Sequence, residues 1–203
     1  MISVTERLWL LLLLLLALGL SLINPYDGLT WLLETFPVLL GLPLLMVTFR
    51  RFPLTPLCYR LLFVHALILI VGAHYTYARV PLGFWMQDLF DFSRNHYDRI
   101  GHIAQGFVPA VLAREILLRR SPLQPGKWLF LIVTSICLAF SALYEMIEWW
   151  TAVAADEASV EFLGTQGDPW DTQWDMFLAL LGAMAAQLML SRRHDRAIVI
   201  LVQ

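Results

Sequence analysis

Charge is what this 203-residue chain has least of: Asp, Glu, Lys and Arg together make up 15% of it, against 59% hydrophobic residues, and its mean hydropathy is +0.68. Soluble domains carry about 25% charged residues, so the composition is that of a membrane protein. Cysteine is nearly absent as well. Cys58, beside a basic loop, and Cys137, inside an apolar run, cannot build a disulfide framework and are expected as free thiols. There is no CxxC pair, GxxxxGK[ST] loop, HExxH helix or GxSxG elbow, which removes the familiar nucleotide, zincin and hydrolase signatures. No basic stripe extends beyond short clusters flanking apolar runs, so nucleic acid is not expected as a partner. No repeat or low-complexity linker divides the chain, and residues 1–203 read as one multi-pass domain.

Long apolar runs are what the chain has in abundance. A hydrocarbon core of about 30 Å takes about 20 apolar residues per helix. Six runs approach that length, at about 8–23, 29–49, 61–77, 100–118, 128–150 and 173–190. The first, LWLLLLLLLALGLSL, stops at Asn24-Pro25. It has the short leucine core of a secretory signal, but no A-x-A cleavage site follows and the remaining chain stays apolar, so it is read as a span. Pro37 and Pro43 fall inside the second run, where neighbouring helices can satisfy the freed carbonyls. The fourth run is the most polar.

Short loops rich in Lys and Arg stay on the cytoplasmic side. Arg7, Arg50, Arg51, Arg60, Arg119, Arg120, Lys127, Arg192, Arg193 and Arg196 all fall on one side of the six runs. The other side receives Asp27, Asp88, Asp91, Asp98, Asp156, Glu157, Glu161, Asp168 and Asp171, opposed there by Arg79, Arg94 and Arg99. The fold expected is therefore all-α, an integral membrane bundle of six transmembrane helices with both termini cytoplasmic.

Helical periodicity gathers the polar residues into stripes. On the fourth run Asp98, His102, Gln105 and Pro109 share a face; on the fifth, Thr134, Ser141, Glu145 and Glu148 do. In GTQGDPWDTQWD, Asp168, Asp171 and Asp175 align with Gly182 and Ala186 if the last helix begins near Pro169, with Asp168 as its cap. Topology places all three stripes at the outer end, where His74 and Tyr77 also finish the third run. Trp149, Trp150, Trp170 and Trp174 suit the membrane boundary.

Ionisable residues within a span are a functional hypothesis by default. Glu145 and Glu148 are the candidate acid/base or ligand carboxylates, with His102 and Asp98 as an orienting pair and Asp175 beside them. Gln105, Gln166, Asp168, Asp171 and His74 complete the expected pocket. A divalent metal held by Glu145, Glu148, His102 and Asp175 is one form the chemistry can take; a metal-free acid and base is the other. An arginine entering the pocket from Arg79, Arg94 or Arg99 would compete for those carboxylates and weaken the metal reading.

Structural readings stand beside these. His102 can be a satisfied structural histidine and Gln105 an interhelical hydrogen-bonding residue. Asp98 with Arg99, and Asp88 with Arg94, read as exposed loop charges. Asp156, Glu157 and Glu161 read as a solvated loop. Arg114 and Glu115 snorkel or pair, and Gly101, Gly106, Gly182 and Ala186 mark close helix packing. His65 and His74 point to opposite faces of the third run and are not paired.

DRIGHIAQGFVPAVLARE at Asp98 to Glu115, SALYEMIEW at Ser141 to Trp149 and FLGTQGDPWDTQWDM at Phe162 to Met176 resemble the YjdF-like family of bacterial inner-membrane proteins. That resemblance implies a multi-pass protein of the bacterial inner membrane and carries no established activity. Asp98, Arg99 and His102, then Glu145, then Asp175 and Gly182 also resemble the pattern of VanZ-like membrane proteins. The function expected is binding or processing of an envelope or lipid-linked substrate at the outer face. A small proton- or cation-coupled transporter and a structural or partner-binding membrane protein are the alternatives.

Overall fold

A computed structural model describes residues 2–155 and 165–202. Asp156, Glu157 and Glu161, expected in a solvated loop, and the start of the FLGTQGDPWDTQWDM motif lie outside them. The described residues form seven α-helices and no strand: α1 (Val4–Ser21), α2 (Gly28–Thr48), α3 (Pro56–Tyr75), α4 (Pro81–Phe90), α5 (Tyr97–Arg120), α6 (Lys127–Ala155) and α7 (Asp171–Val202). A 3-10 turn, Tyr77–Arg79, links α3 to α4.

The early helices start where a short polar side chain meets the beginning of an apolar run. Ser3 Oγ accepts from the Glu6 amide (3.0 Å), Asp27 Oδ1 from that of Thr30 (2.7 Å) and Thr55 Oγ1 from that of Cys58 (3.3 Å), each satisfying a donor the first turn leaves open. Five helices, α1, α2, α3, α6 and α7, are long and apolar enough to cross a membrane. Their large apolar side chains face outward in numbers that water would not permit, among them Leu16, Leu40, Phe140 and Leu188.

Helix α5 is the polar exception and sits at the centre, packed along α7, α6 and α3. Its approach to α7 is backbone to backbone. A Cβ on Gly106 would overlap the Ala179 carbonyl, and one on Gly182 would overlap the Ile103 carbonyl and lie 3.0 Å from the Phe107 nitrogen. The expected close packing at Gly106 and Gly182 is thus present. Gly101 makes room differently, for the Tyr77 ring wedged between α3 and α5, whose Cε1 lies 2.7 Å from where a Cβ would stand. Both cysteines are free and buried in the core between α3, α5, α6 and α7.

Several helices run past the apolar stretches read from sequence, α1 starting at Val4 and α6 ending at Ala155 among them. α3 begins at Pro56, five residues before the expected 61, because Thr55 caps it there, and α7 continues to Val202 rather than ending near 190. The stretch 80–97, expected as a loop, contains α4. Its Leu82, Phe84, Trp85, Leu89 and Phe90 are exposed, as suits a short helix lying along a membrane surface. Gly83 holds α4 close to Asn95, whose amide donates to the Val80 carbonyl at 3.0 Å.

Opposite ends of α5 are both polar. At its C-terminal end Glu115 is fully buried and saturated: it accepts from the Thr55 amide (2.9 Å) and hydroxyl (2.7 Å) and from Arg119 (2.8 Å), and meets His194 Nε2 of α7 at 3.0 Å. Arg114 forms a two-pronged pair with Asp195. Arg114 and Glu115 therefore pair, one of the two outcomes expected, and in doing so they tie α5 to α7 and to the start of α3.

Gly106→Ala is expected to lower stability by about 3 kcal/mol, since neither backbone can yield to the added methyl. Gly19, where a Cβ meets nothing within 4 Å, is the control: Gly19→Ala should leave thermal unfolding of the detergent-solubilised protein unchanged or slightly raised. Equal melting of Gly106→Ala and the wild type would contradict the backbone contact.

Candidate functional site

At the N-terminal end of α5 the sequence-predicted acids converge from three helices, but two arginines stand among them. Arg99 of α5 donates through Nη1 to Asp175 Oδ1 (2.8 Å) and through Nη2 to Asp168 Oδ2 and Asp171 Oδ1 (both 3.1 Å). Arg94, in the segment before α5, reaches Asp171 Oδ1 at 2.8 Å and donates to the Thr165 carbonyl at 2.8 Å. Their side chains are 13% and 8% exposed, so the reading of Arg94 and Arg99 as loop charges in water is corrected. Asp98 is likewise largely enclosed. The physical reason is the acid-rich start of α7: three aspartates brought together would repel one another unless guanidiniums entered between them.

The loops are pinned to permit this. Gln166 exchanges two hydrogen bonds with the Asn95 backbone, accepting from its amide at 3.1 Å and donating to its carbonyl at 2.9 Å. Gln166 thus positions the chain before α7 against the chain before α5. Asp168 Oδ1 accepts from the Trp170 amide at 2.9 Å, but α7 starts at Asp171. Asp168 and Pro169 therefore form a turn ahead of the helix instead of its cap and first residue, since the other Asp168 oxygen is drawn to the arginines. Trp149, Trp150, Trp170 and Trp174 surround this end with exposed rings.

His102 lies at the centre. Its Nε2 is 3.3 Å from Asp98 Oδ1 and 3.8 Å from Asp175 Oδ1, while Nδ1 is 2.8 Å from Gln105 Oε1 and 4.0 Å from Glu145 Oε1. Both ring nitrogens face oxygen acceptors, an arrangement that a ring protonated at both positions satisfies. Glu145 Oε1 is buried and, among the described residues, has no hydrogen-bond donor. Outside the helices, burial and the neighbouring Arg94 and Arg99 cations push the His96 imidazole below its ordinary range, so at neutral pH it adds no positive charge here.

Ligand atoms of Asp98, His102 and Asp175 all lie within 4.8 Å of one another. This trio overlaps the sequence-based ligand set at His102 and Asp175, takes in Asp98, and omits Glu145 and Glu148. Arg99 already occupies Asp175 Oδ1. Glu148, half-buried on α6, stays in electrostatic reach of Glu145 and His102. His74 stands apart: its Nδ1 meets the Ser21 carbonyl at 3.0 Å, joining α3 to the end of α1.

Glu34 is absent from the sequence-based pocket, whereas Arg94 and Arg99 are two of the three arginines whose entry would oppose a metal there. Arg94 and Arg99 were the unbalanced cations on an acidic side, and that imbalance is the signal that finds them. Glu34 of α2 is buried and accepts from Tyr144 Oη of α6 at 3.2 Å. A single carboxylate inside an apolar run is itself a marker, but no second polar residue on α2 repeats its face in the cluster.

Residues 6–196 match the family model described as "Predicted membrane protein (DUF2238)". The chain is 53% identical over 174 residues to the "Inner membrane protein YjdF" of Escherichia coli (strain K12), an alignment covering 86% of this chain and 83% of that protein. No solved structure matches it. The chain belongs to this family and is a multi-pass helical protein of the inner membrane.

Replacing Arg99 by Met would strand Asp175, while Asp171 would keep Arg94 at 2.8 Å. A loss of about 3–5 kcal/mol is expected, with part of it recovered in the Arg99→Met, Asp175→Asn double variant. Chemical denaturation of the four members of this cycle in one detergent measures the coupling; additive losses would show that the pair is not formed.

Proposed function

We propose that this member of the family is a single-domain, six-span protein, with α5 as the sixth span, cytoplasmic termini and its acidic cluster facing the periplasm. There it binds or processes an envelope or lipid-linked substrate by acid/base chemistry. The alternation of basic and acidic loops supports the orientation, and the central packing of α5 supports counting it as a span despite its charges.

The observation that carries the reading is the carboxyl of Glu145, with one oxygen unpartnered and buried 4.0 Å from His102. Asp168, Asp171 and Asp175 are held by arginines and serve as a fixed wall. Asp98 and Gln105 hold the two nitrogens of His102 and set the ring's orientation. Glu145 is left to exchange a proton with a bound molecule, and Glu148 is its neighbour on the same helix face. A substrate delivered within the bilayer plane would reach this end between exposed tryptophan rings.

Two other readings share these residues. In the metal form, Asp98, His102 and Asp175 supply the ligands, supported by their convergence and opposed by the hold of Arg99 on Asp175. A cation-coupled carrier needs a polar path to the other end. Between the clusters, α6 and α7 offer Ser141, Thr134 and Gln187, the last two bonded to each other at 2.9 Å, and no carboxylate or histidine, and this favours a one-sided site.

Polar-lipid extracts of cells lacking the protein, compared by mass spectrometry with extracts after complementation, test the proposal. Wild type should restore the parental profile, while Glu145→Gln at equal abundance should leave turnover about 100-fold or more reduced and the profile that of the deletion. Full restoration by Glu145→Gln, or a deletion whose extract already matches the parent, would overturn it. Elemental analysis of the purified protein beside His102→Ala separates the forms: a stoichiometric divalent metal lost in the variant would replace the metal-free chemistry by metal-assisted chemistry.

A further inference from the structure

Helices α1 and α2 each lie along α3 and are tied to each other where Trp31 Nε1 of α2 donates to Ser21 Oγ of α1 at 3.0 Å, but their backbones otherwise stay apart. Between them runs a cavity of about 720 Å³, floored by α3 and α5. Its walls are aliphatic for most of their length, with Leu11, Leu14, Leu42, Leu62 and Leu69 among the lining residues. The mouth is different: Arg7, Arg50 and Tyr59 line it there. Arg7 is held in place by stacking over the Phe49 ring, with its Cζ 4.2 Å from the centroid.

The dimensions fit one class of molecule. From Tyr59 at the mouth to Leu69 on the floor, α3 rises about 15 Å at 1.5 Å per residue. That is half of the roughly 30 Å hydrocarbon core, the depth of a single leaflet. The volume falls inside the range of about 300–1,000 Å³ typical of sites for small organic molecules. The groove is thus as deep as one leaflet, apolar along that depth apart from the His65 imidazole, and positively charged where a headgroup would sit. Gly41 supplies part of the width: a Cβ there meets nothing within 4 Å, so α2 presents open space on this side.

We propose that this groove is a binding site for an anionic phospholipid of the surrounding bilayer, with an acyl chain between α1 and α2 and the phosphate on Arg7 and Arg50. The site is separate from the acidic cluster, uses none of its residues, and lies toward the opposite end of the bundle. The lipid completes the packing that α1 and α2 do not make with each other at the Arg7 and Arg50 end. Arg7 and Arg50 select an anionic headgroup over a zwitterionic one of the same chain length, while the aliphatic walls hold either kind of tail.

Native mass spectrometry of the intact protein, titrated with phosphatidylglycerol or with phosphatidylcholine of identical acyl chains, tests this. Wild type should retain one phosphatidylglycerol, bound at least tenfold more tightly than phosphatidylcholine. Arg7→Gln, Arg50→Gln should bring phosphatidylglycerol down to the phosphatidylcholine level, a fall of roughly tenfold to thirtyfold. Gly41→Leu places a side chain in the open groove without touching either arginine, and should displace both lipids while the melting transition and helical content show a folded protein. Equal affinity for the two lipids in wild type would overturn the headgroup assignment. Undiminished binding by a folded Gly41→Leu variant would overturn the groove.

Discussion

The contact on which the rest of this molecule depends is the approach of α5 to α7 through Gly106 and Gly182, where each backbone meets the other with no side chain between. Membrane helices cannot rely on water to drive them together, so close backbone packing and polar contacts must hold them. Here the two act together. The glycines bring the helices near enough for Arg99 to span three aspartates at one end and for Glu115, Arg114, His194 and Asp195 to interlock at the other. A wider spacing would leave those charges facing one another across a gap too long for direct hydrogen bonds and too dry for water to fill.

Charge of this density inside a bundle is destabilising unless nearly every group is matched. The two ends solve the problem differently. Around Glu115 the carboxylate is fully matched, both its oxygens engaged by a hydroxyl, an amide, a guanidinium and an imidazole, and His194 Nδ1 is the atom of that group left without a partner among the described residues. Around His102, five carboxylates from Asp98, Glu145, Asp168, Asp171 and Asp175 meet two arginines and one histidine, and an oxygen of Glu145 is left over. A saturated carboxylate is scaffold. An end with spare acceptor capacity has room for a proton, a cation or the polar part of a ligand, which is why the functional proposal rests on that end alone.

How much could be read in the chain follows from which constraint acted on each segment. The bilayer demands length and apolarity together, so α1, α2, α3, α6 and α7 announce themselves in composition, and helical period is enough to bring His102, Glu145 and Asp175 onto inward faces. Arg94 obeys no such period. It lies in an irregular segment between α4 and α5 whose path is set by Asp91 in the left-handed region (φ 55°) and by Asn95 reaching back to Val80, long-range and local-geometry effects that leave no repeat to detect. Arg99 is on α5, but one residue off the Asp98-His102-Gln105 stripe, and only the aspartates of α7 draw it inward. The same pull explains why α7 begins at Asp171: Asp168 answers to the arginines before it answers to the helix. α4 escaped notice because ten residues of mixed character between polar turns resemble a loop more than a helix.

The order of synthesis gives the α5–α7 partnership a temporal side. Arg99 and Asp175 are separated by 76 residues. At about 5–20 residues per second on a ribosome, α5 is complete several seconds before its counterpart exists. Throughout that interval Arg99 lacks the three aspartates that hold it in the folded protein. The bundle therefore cannot mature helix by helix. Its most polar segment waits for the last one made, and a chain truncated anywhere before α7 would leave Arg99 and Glu115 without the partners that α7 supplies.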